Sequence, residues 1–410
     1  MRSLLLHVYS PLHDEGLVEE TVKWIEARIG WMFDDVERAS TPEKASEKAS
    51  GDYGFIAISH ITGGSEQMAL RAAALGRPTA LIAHSKMNSL PAALETISAL
   101  KSRGIPSWVI PLWREGAERR LGNIMRAAEA AWRLKGHRIM VLGDPSPWLI
   151  YSLPDTRVLS RLGVEIVKVS LKELMRELRP GKEDEDEARR LVARSESAHV
   201  RVEDVAKALT LYGKIKRMMW ENGADSVTIR CFDLIKDAGT TACLAVSMLN
   251  DDGLVAGCES DIPSTLSMVI AHTLSRGPVF MANPALVEGD RILLAHCTVA
   301  MGLSRSYRLM THFESGLGVG VAGVLAEGVE ATLMRISAEA DVLRAGVGEI
   351  VSGKPSRKGY CRTQVELRIP GAEKILREPM GNHYVMALGD IMDGLEAFAE
   401  ITGMRFDRIG

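Results

Sequence analysis

Apolar and polar positions alternate along the first third of the chain in a repeating order of predicted strands and helices. Short apolar runs predict strands at residues 4–8, 55–59, 78–83 and 108–111. Helical spacing of apolar residues predicts helices at 16–29, 66–75 and 91–103. Because each strand is followed by a helix, this segment is expected to form a parallel, doubly wound sheet.

A second unit of the same kind follows a polar, Ala- and Arg-rich helix predicted over residues 114–134. Its predicted strands are 138–143, 164–169 and 226–230, and its predicted helices are 153–162 and 202–222. The acidic run at 182–187 is read as a solvated loop and helix start. The pattern therefore predicts a second Rossmann-like α/β domain.

The pattern changes from about Cys297 onward, where short strands recur between glycine turns. Predicted strands are 317–325, 331–336, 342–346, 365–368 and 385–388, with a last helix at 391–402. We therefore expect an α/β protein with two doubly wound parallel-sheet domains and a C-terminal antiparallel β-barrel-like domain. The expected boundaries are 1–135, 136–295 and 296–410.

Composition narrows the functional classes. The chain has 410 residues, 46% hydrophobic and 25% charged, with a net charge of −3 and no basic stripe, so no nucleic-acid partner is expected. No apolar run approaches the roughly 20 residues of a membrane span, and residues 4–8 are read as the first strand rather than as a signal peptide. The two Gln and six Asn are a low amide content of the kind found in thermophiles.

The five cysteines are Cys231, Cys243, Cys258, Cys297 and Cys361. They are scattered, without a C-x-x-C pair, so neither a disulfide framework nor a cysteine zinc site is expected. A reducing cytoplasm is the predicted location.

The densest polar cluster in an apolar setting is the segment Gly257-Cys258-Glu259-Ser260-Asp261-Ile262-Pro263-Ser264-Thr265. It lies between a predicted strand and a predicted helix, and ligands bind at the carboxyl ends of strands in open α/β sheets. Glu259 and Asp261 are therefore candidates for metal ligation or acid–base chemistry. For Asp261 and Ser264 the alternative is capping of the following helix.

Two further segments add possible metal ligands. Asn283 follows one predicted strand, His296 ends an apolar run, and His383 lies between a Gly-Asn turn and a strand. Either histidine is alternatively a hydrogen-bonded core residue. Imidazole and carboxylate together, with no thiolate pair, suit Mn²⁺ or a similar divalent ion.

Two glycine-rich segments are candidates for ligand binding, and we interpret them differently. The segment 318–323 matches G-x-G-x-x-G, but strands follow it, so we reject a dinucleotide site. The turn Thr62-Gly63-Gly64-Ser65 lies between strand and helix, where its amides can bind an anion or a hydroxyl group. The alternative is a plain tight turn.

Several motifs resemble the L-fucose isomerase and L-arabinose isomerase superfamily, in particular its shorter, fucose-isomerase-like branch. The matching stretches are TGGSE at 62–66, NSLPAALE at 88–95, CESDIPSTLSM at 258–268, PVFMANP at 278–284, LAHCTVA at 294–300, THFESGLGVGVAG at 311–323, CRTQVEL at 361–367 and GNHYVMALGD at 381–390. They span most of the chain in the family's order.

The resemblance implies a Mn²⁺-dependent aldose–ketose isomerase acting on a small sugar, assembled as a homo-oligomer, a trimer or hexamer. It implies that Glu259 is a metal-binding and catalytic carboxylate and that His383 and His296 are metal ligands. It also implies substrate contacts from Thr62, Gly63, Gly64 and Asn382, with the first domain covering a neighbouring subunit's site.

The chain departs from the family at Asn283, where the sugar isomerases carry Asp or Glu. An amide oxygen can ligate a metal but cannot shuttle a proton at neutral pH. Asp261 is the candidate second catalytic carboxylate, although its position does not match the family's. We therefore expect Glu259 to be the base, with a water, Asp261 or His296 relaying the hydroxyl proton.

Three functions remain open from the sequence. The first is a metal-dependent isomerase working through an enediolate. The second is a sugar-binding or regulatory homologue that has lost catalysis. The third is a metal-dependent epimerase or carbon–carbon lyase on the same fold, and Asn283 is the feature that separates the first from the others.

Overall fold

The structure, a computed structural model, describes residues 1–154 and 156–410. It divides into two compact units. The first comprises Met1–Trp132 and Glu396–Thr402, and the second comprises Arg133–Leu395 and Gly403–Gly410.

The first unit alternates strands and helices. In chain order they are β1 Ser3–Val8, α1 Glu15–Ile29, β2 Asp35–Ala39, α2 Pro42–Ala49, β3 Phe55–His60, α3 Glu66–Ala73, β4 Thr79–Ala83, α4 Ser89–Lys101, β5 Ser107–Pro111 and α5 Ala117–Arg133. The strands form one parallel sheet in the order β2-β1-β3-β4-β5. Strands β1, β3 and β4 are buried along their whole length, as expected for a parallel sheet covered on both faces.

Two elements of this unit were absent from the sequence prediction. Strand β2 reads Asp-Val-Glu-Arg-Ala and lies at the edge of the sheet, where only Ala39 is fully buried. Helix α2 buries only Ala45 and Ala49. Neither segment has the apolar run or stripe on which the prediction relied.

The second unit begins with another α/β arrangement. Its elements are β6 Arg138–Leu142, α6 Thr156–Arg161, β7 Glu165–Val169, α7 Leu171–Met175, α8 Lys182–Arg194, β8 Ser197–Ala198, α9 Val202–Glu221, β9 Ser226–Ile229, α10 Cys231–Ala238, α11 Cys243–Asp251, β10 Val255–Cys258 and α12 Ile262–Ser275. Four strands form a parallel sheet in the order β10-β9-β6-β7. The helix predicted over 153–162 corresponds to α6, and its residue 155 lies outside the described residues.

A closed antiparallel barrel completes the second unit. The remaining elements of the chain are β11 Phe280–Glu288, β12 Arg291–His296, β13 Ser306–Met310, β14 Gly320–Val324, β15 Glu330–Ile336, β16 Val342–Ser352, β17 Thr363–Arg368, α13 Lys374–Arg377, β18 Tyr384–Leu388, α14 Met392–Thr402 and β19 Arg405–Arg408. Of α14, the residues Glu396–Thr402 belong to the first unit. Six strands close in the order β15-β18-β11-β12-β17-β16, with β15 pairing with β16. The predicted fold class, parallel α/β domains followed by an antiparallel barrel, is therefore confirmed.

The barrel begins earlier than the change in sequence pattern indicated. Strands β11 and β12 pair with each other, and they pair with β18 and β17 respectively. Both begin before residue 296, and an apolar run alone does not distinguish an antiparallel from a parallel strand. The three domain boundaries themselves stay a prediction. Within the described residues, every helix is too short or too polar to cross a bilayer.

Candidate metal centre and active site

A strained turn at the end of β10 carries the acidic candidate Glu259. Glu259 and Ser260 have φ angles of 62° and 55°, in the left-handed region that non-glycine residues rarely adopt. Each such residue costs of order 1–3 kcal/mol and is held by its surroundings. Gly257 keeps the turn tight, because a Cβ there would lie 2.2 Å from Thr265 Oγ1. The fold therefore holds Glu259 in a strained conformation.

Asp261 lies two residues further on and has two partners. One carboxylate oxygen accepts the backbone N–H of Ser264 at 2.9 Å and so caps α12. The other accepts the Nδ1–H of His383 at 2.9 Å. Asp261 is fully buried, behind the His383 ring.

The barrel supplies two histidines. His296 is the last residue of β12, and His383 directly precedes β18. Their ring centroids are 5.7 Å apart. Nδ1 of His296 shares a 2.8 Å hydrogen bond with Thr298 Oγ1, and Nδ1 of His383 bonds to Asp261. In both rings the hydrogen bond fixes the orientation and leaves Nε2 available.

These side chains meet Glu259 in one group. Ligand atoms of Glu259, His296 and His383 all lie within 4.8 Å of one another. Nε2 of His383 is buried without a hydrogen-bond partner among the described residues, and it lies 3.6 Å from Glu259 Oε1. An unpartnered imidazole nitrogen facing a carboxylate, with its other nitrogen on Asp261, is the usual arrangement of a metal-binding histidine. The donor set fits a divalent cation.

The charges of the group are strongly coupled. Burial alone would lower the pKa of His383, but the hydrogen bond to Asp261 and the negative charge of the nearby Glu259 carboxylate raise it to about 9. Burial raises the pKa of Glu259, but the nearby His383 ring and the hydrogen bond from Trp148 outweigh this effect, so the pKa lies below its usual value. Burial lowers the pKa of His296 to about 3. Without a metal, the group therefore holds one carboxylate, one imidazolium and one neutral imidazole at pH 7.

The side chain of a buried arginine lies next to Asp261. Arg335 is fully buried, and its Nη1 lies 3.8 Å from the Asp261 carboxylate. It donates to Ser264 Oγ at 2.8 Å and to Ser152 Oγ at 2.7 Å. Asp261 is thus the counter-charge of Arg335 as well as the partner of His383.

A cavity of about 40 Å³ adjoins the group and is lined by Glu259, Asn283, His296 and His312, among others. Asn283 lies in β11, between the strands that carry His383 and His296. Space of this size holds an ion and a water molecule. The structure therefore brings Asn283 to the same cavity as the other predicted ligands.

Two residues were not identified from the sequence: His312, which lines the cavity, and Trp148, which contacts Glu259. The indole Nε1–H of Trp148 donates to Glu259 Oε2 at 2.6 Å. The rings of Trp148 and His312 both contact Phe232 edge to face, with centroid distances of 4.7 and 5.6 Å. Trp148 lies in a loop with no periodic signal. His312 belongs to the quoted THFESG stretch and had only that resemblance to mark it.

The predicted substrate-binding residues lie elsewhere in the chain. Thr62 is buried in the first unit, where its Oγ1 accepts the backbone N–H of Ser10 at 2.8 Å. Gly63 and Gly64 follow in the same turn, and Gly64 has a φ of 76°. Asn382 is exposed, next to His383. Their role toward a substrate stays a prediction.

Comparison with known proteins returns sugar isomerases. A sulfoquinovose isomerase from Clostridium sp. strain MSTE9 is 24% identical over 339 residues, 77% of this chain and 75% of that protein. One from Alkalicoccus urumqiensis is 25% identical over 329 residues, 75% of this chain and 73% of that protein. One from Priestia megaterium is 29% identical over 182 residues, 43% of this chain and 40% of that protein. No family model matches the chain.

The names of these relatives agree with the enzyme class predicted from the sequence, a sugar isomerase. The fucose-isomerase-like branch stays a prediction.

Proposed function

We propose that this chain is a metal-dependent aldose–ketose isomerase of a small sugar, with sulfoquinovose as the first candidate substrate. The observation that carries the proposal is the group of Glu259, His296 and His383, whose ligand atoms lie within 4.8 Å of one another. The names of the relatives support the sugar and the reaction class.

Glu259, His296 and His383 are the proposed ligands of one divalent cation, Mn²⁺ or a similar ion, and the Asn283 amide oxygen is a fourth donor at the same cavity. Oxygen and imidazole donors suit such an ion. When bound, a divalent cation supplies Lewis-acid polarisation of a carbonyl oxygen. The aldehyde and the neighbouring hydroxyl of an open-chain aldose are the groups such a site would polarise.

Glu259 is the proposed base. Its carboxylate is ionised at neutral pH, because its pKa lies below the usual value despite burial. The Trp148 indole donates to Oε2 at 2.6 Å and so fixes the orientation of the carboxylate. Isomerisation takes a proton from C2 and returns one to C1, and a single carboxylate serves both carbons of a cis-enediol.

His312 is the proposed donor for the second proton transfer, between the substrate oxygens. Nδ1 of His312 accepts the backbone N–H of Ser315 at 3.4 Å and lies 3.1 Å from Ser315 Oγ, an arrangement that favours the tautomer with its proton on Nε2. Burial holds the pKa of His312 below its usual value, so the ring is neutral. A neutral Nε2–H can pass its proton to one substrate oxygen and take up the proton of the neighbouring hydroxyl, a transfer that the Asn283 amide cannot make at neutral pH.

Asp261, the other predicted catalytic carboxylate, is proposed to act through His383. Its oxygens are engaged by Ser264 and by the His383 ring, and the side chain is fully buried. This geometry favours a positioning role over direct contact with a substrate.

Thr62, Gly63, Gly64 and Asn382 are proposed as substrate contacts, with the first unit serving a neighbouring subunit of a trimer or hexamer. Several large apolar side chains of this unit are exposed, among them Leu12, Trp31 and Trp113. Exposed apolar side chains of this kind suit a subunit interface.

A sugar-binding protein without isomerase activity is the second candidate. Asn283 favours it, because an amide occupies the place where a proton-shuttling carboxylate is expected. The two candidates differ in whether a sugar is converted, not in whether it binds.

The test is an NMR assay of the Mn²⁺-loaded protein with sulfoquinovose, glucose and L-fucose, with EDTA-treated protein as control. The expected result is a ketose product from sulfoquinovose that requires the added metal. Binding of sulfoquinovose without any product would favour the sugar-binding protein. Neither binding nor conversion of any of the three sugars would refute both candidates.

A further inference from the structure

All five cysteines of the chain line the cavity beside Glu259, although they are far apart in sequence. None of them belongs to the proposed metal ligands. In the sequence they are scattered, whereas the fold gathers them around the candidate active site. The isomerase reaction does not need these thiols, so it does not explain why they lie together.

Two of these thiols are in direct contact. Sγ of Cys231 lies 2.9 Å from Sγ of Cys258, and both side chains are buried. Cys258 is the last residue of β10, and Cys231 follows the end of the adjacent strand β9. A disulfide has an S–S distance of about 2.05 Å, so the sulfurs need to approach by only about 0.9 Å.

The Cys258 backbone is continuous with the strained turn of Glu259. Cys258 directly precedes Glu259 and Ser260, the two consecutive residues with left-handed φ angles. Gly257, on the other side, packs so closely on Thr265 that a Cβ there would lie 2.2 Å from Thr265 Oγ1. A shift of Cys258 toward Cys231 is therefore passed on to the Glu259 turn.

We propose that Cys231 and Cys258 form an oxidation site, at which a peroxide converts the thiol pair into a disulfide and displaces Glu259 from the metal-ligand group. The thiolate sulfur of one cysteine attacks a peroxide oxygen, the O–O bond breaks and water leaves, giving a sulfenic acid. The second sulfur displaces that oxygen as water and forms the S–S bond. The two thiols lose two electrons, which reduce one H₂O₂ to two molecules of water.

The cavity gives a small oxidant a route to these thiols. Besides Cys231 and Cys258, it is lined by Cys361, which is partly exposed, and by Glu314. Cys361 with its neighbour Cys297 is a second pair at the cavity and therefore the natural control. The disulfide itself does not depend on the proposed function, whereas its effect on metal binding does.

The experiment treats reduced, metal-free protein with hydrogen peroxide, blocks free thiols, and maps disulfide-linked peptides by mass spectrometry. Mn²⁺ binding is then titrated before oxidation, after it, and after dithiothreitol. The variants are Cys231→Ser, which removes one sulfur of the pair, and Cys361→Ser, which leaves the pair intact. Each variant is compared with its own reduced form.

The expected result is a Cys231–Cys258 link in the wild type and in Cys361→Ser, with Mn²⁺ affinity lowered at least tenfold and restored by dithiothreitol. Cys231→Ser should keep its Mn²⁺ affinity after oxidation. A link elsewhere or none, or a Cys231–Cys258 link that leaves Mn²⁺ affinity unchanged, would overturn the proposal. If the reduced wild type binds no Mn²⁺, the proposed metal site fails, and the mapped link alone decides whether the oxidation site exists.

Discussion

The imidazoles of His296 and His383 each use Nδ1 for a hydrogen bond and keep Nε2 for the site, but their protonation states differ. The pKa of His383 is raised to about 9 between two carboxylates, whereas burial lowers the pKa of His296 to about 3. A metal binds only the neutral ring, so binding must remove a proton from His383 and none from His296.

This difference predicts how metal binding depends on pH. At pH 7 the His383 ring is protonated, because the pH lies below its raised pKa. Loss of one proton on binding makes the apparent affinity rise about tenfold per pH unit, up to about pH 9. Anaerobic calorimetric titration with Mn²⁺ from about pH 6.5 to about pH 9, the range in which His383 loses its proton, measures the slope. A flat profile would show that His383 is neutral in the metal-free protein or is not a ligand.

A second prediction concerns the side chain of Asn283. Asn283→Asp should tighten Mn²⁺ binding, because a carboxylate is a better ligand for a hard cation than an amide. If the new carboxylate also shuttles a proton, turnover should rise within the ~10²–10⁴-fold range of acid–base catalysis. Titration and an isomerase assay measure the two effects separately. Unchanged metal affinity would place Asn283 outside the ligand set.

The sequence pattern identified the candidate residues that lie at either end of a strand. Glu259, His296 and His383 each stand beside an apolar run, and the fold brings all three together. Neither Trp148 nor His312 stands beside an apolar run that identified it as a candidate. Trp148 is brought to Glu259 by a loop, and loop geometry is not encoded in hydrophobic periodicity.

At the scale of elements, one residue connects a helix to the site. Asp261 caps α12, orients His383 and faces the buried Arg335. The sequence predicted the cap as an alternative to a catalytic role. It could not predict the second partner, because His383 is 122 residues away in the chain.

Asp261→Asn separates these tasks. Asparagine caps a helix as well as aspartate, so α12 should stay intact. Loss of the charge leaves Arg335 buried without its counter-charge, and the free energy of unfolding should fall by about 3–5 kcal/mol. Loss of the His383 partner should lower metal affinity about 10–100-fold. Urea denaturation and Mn²⁺ titration measure the two effects.

Ser264→Ala is the matched control, because it removes an uncharged partner of Arg335 and keeps the carboxylate. Its cost should be about 1 kcal/mol, the usual net value of one hydrogen bond. Equal costs for the two variants would mean that the charge of Asp261 does not matter to Arg335.

At the scale of the whole molecule, the sequence predicted the fold class but not all of its parts. Buried parallel strands were visible as apolar runs, whereas the polar edge strand β2 was not. The barrel strands β11 and β12 were visible as apolar segments, but their pairing with β18 and β17 depends on contacts distant in sequence. Periodicity describes a strand's environment and not its partner.

A further prediction concerns the oligomeric state of the protein. We expect a trimer or hexamer in solution, with the first unit in the interface. The exposed side chains of Leu12, Trp31 and Trp113 are the physical reason. Light scattering coupled to size-exclusion chromatography measures the mass at micromolar concentration. A stable monomer of 44.8 kDa would contradict the predicted assembly.

The most direct test of the proposed isomerase centre is solvent deuterium exchange at C2 of sulfoquinovose, followed by NMR in D₂O with Mn²⁺-loaded protein. Glu259→Gln is the decisive variant, because the amide keeps the shape of the side chain and loses its basicity. The wild type should incorporate deuterium, and Glu259→Gln should lose that exchange while circular dichroism shows an intact fold. Exchange that persists in Glu259→Gln would contradict the assignment of Glu259 as the base.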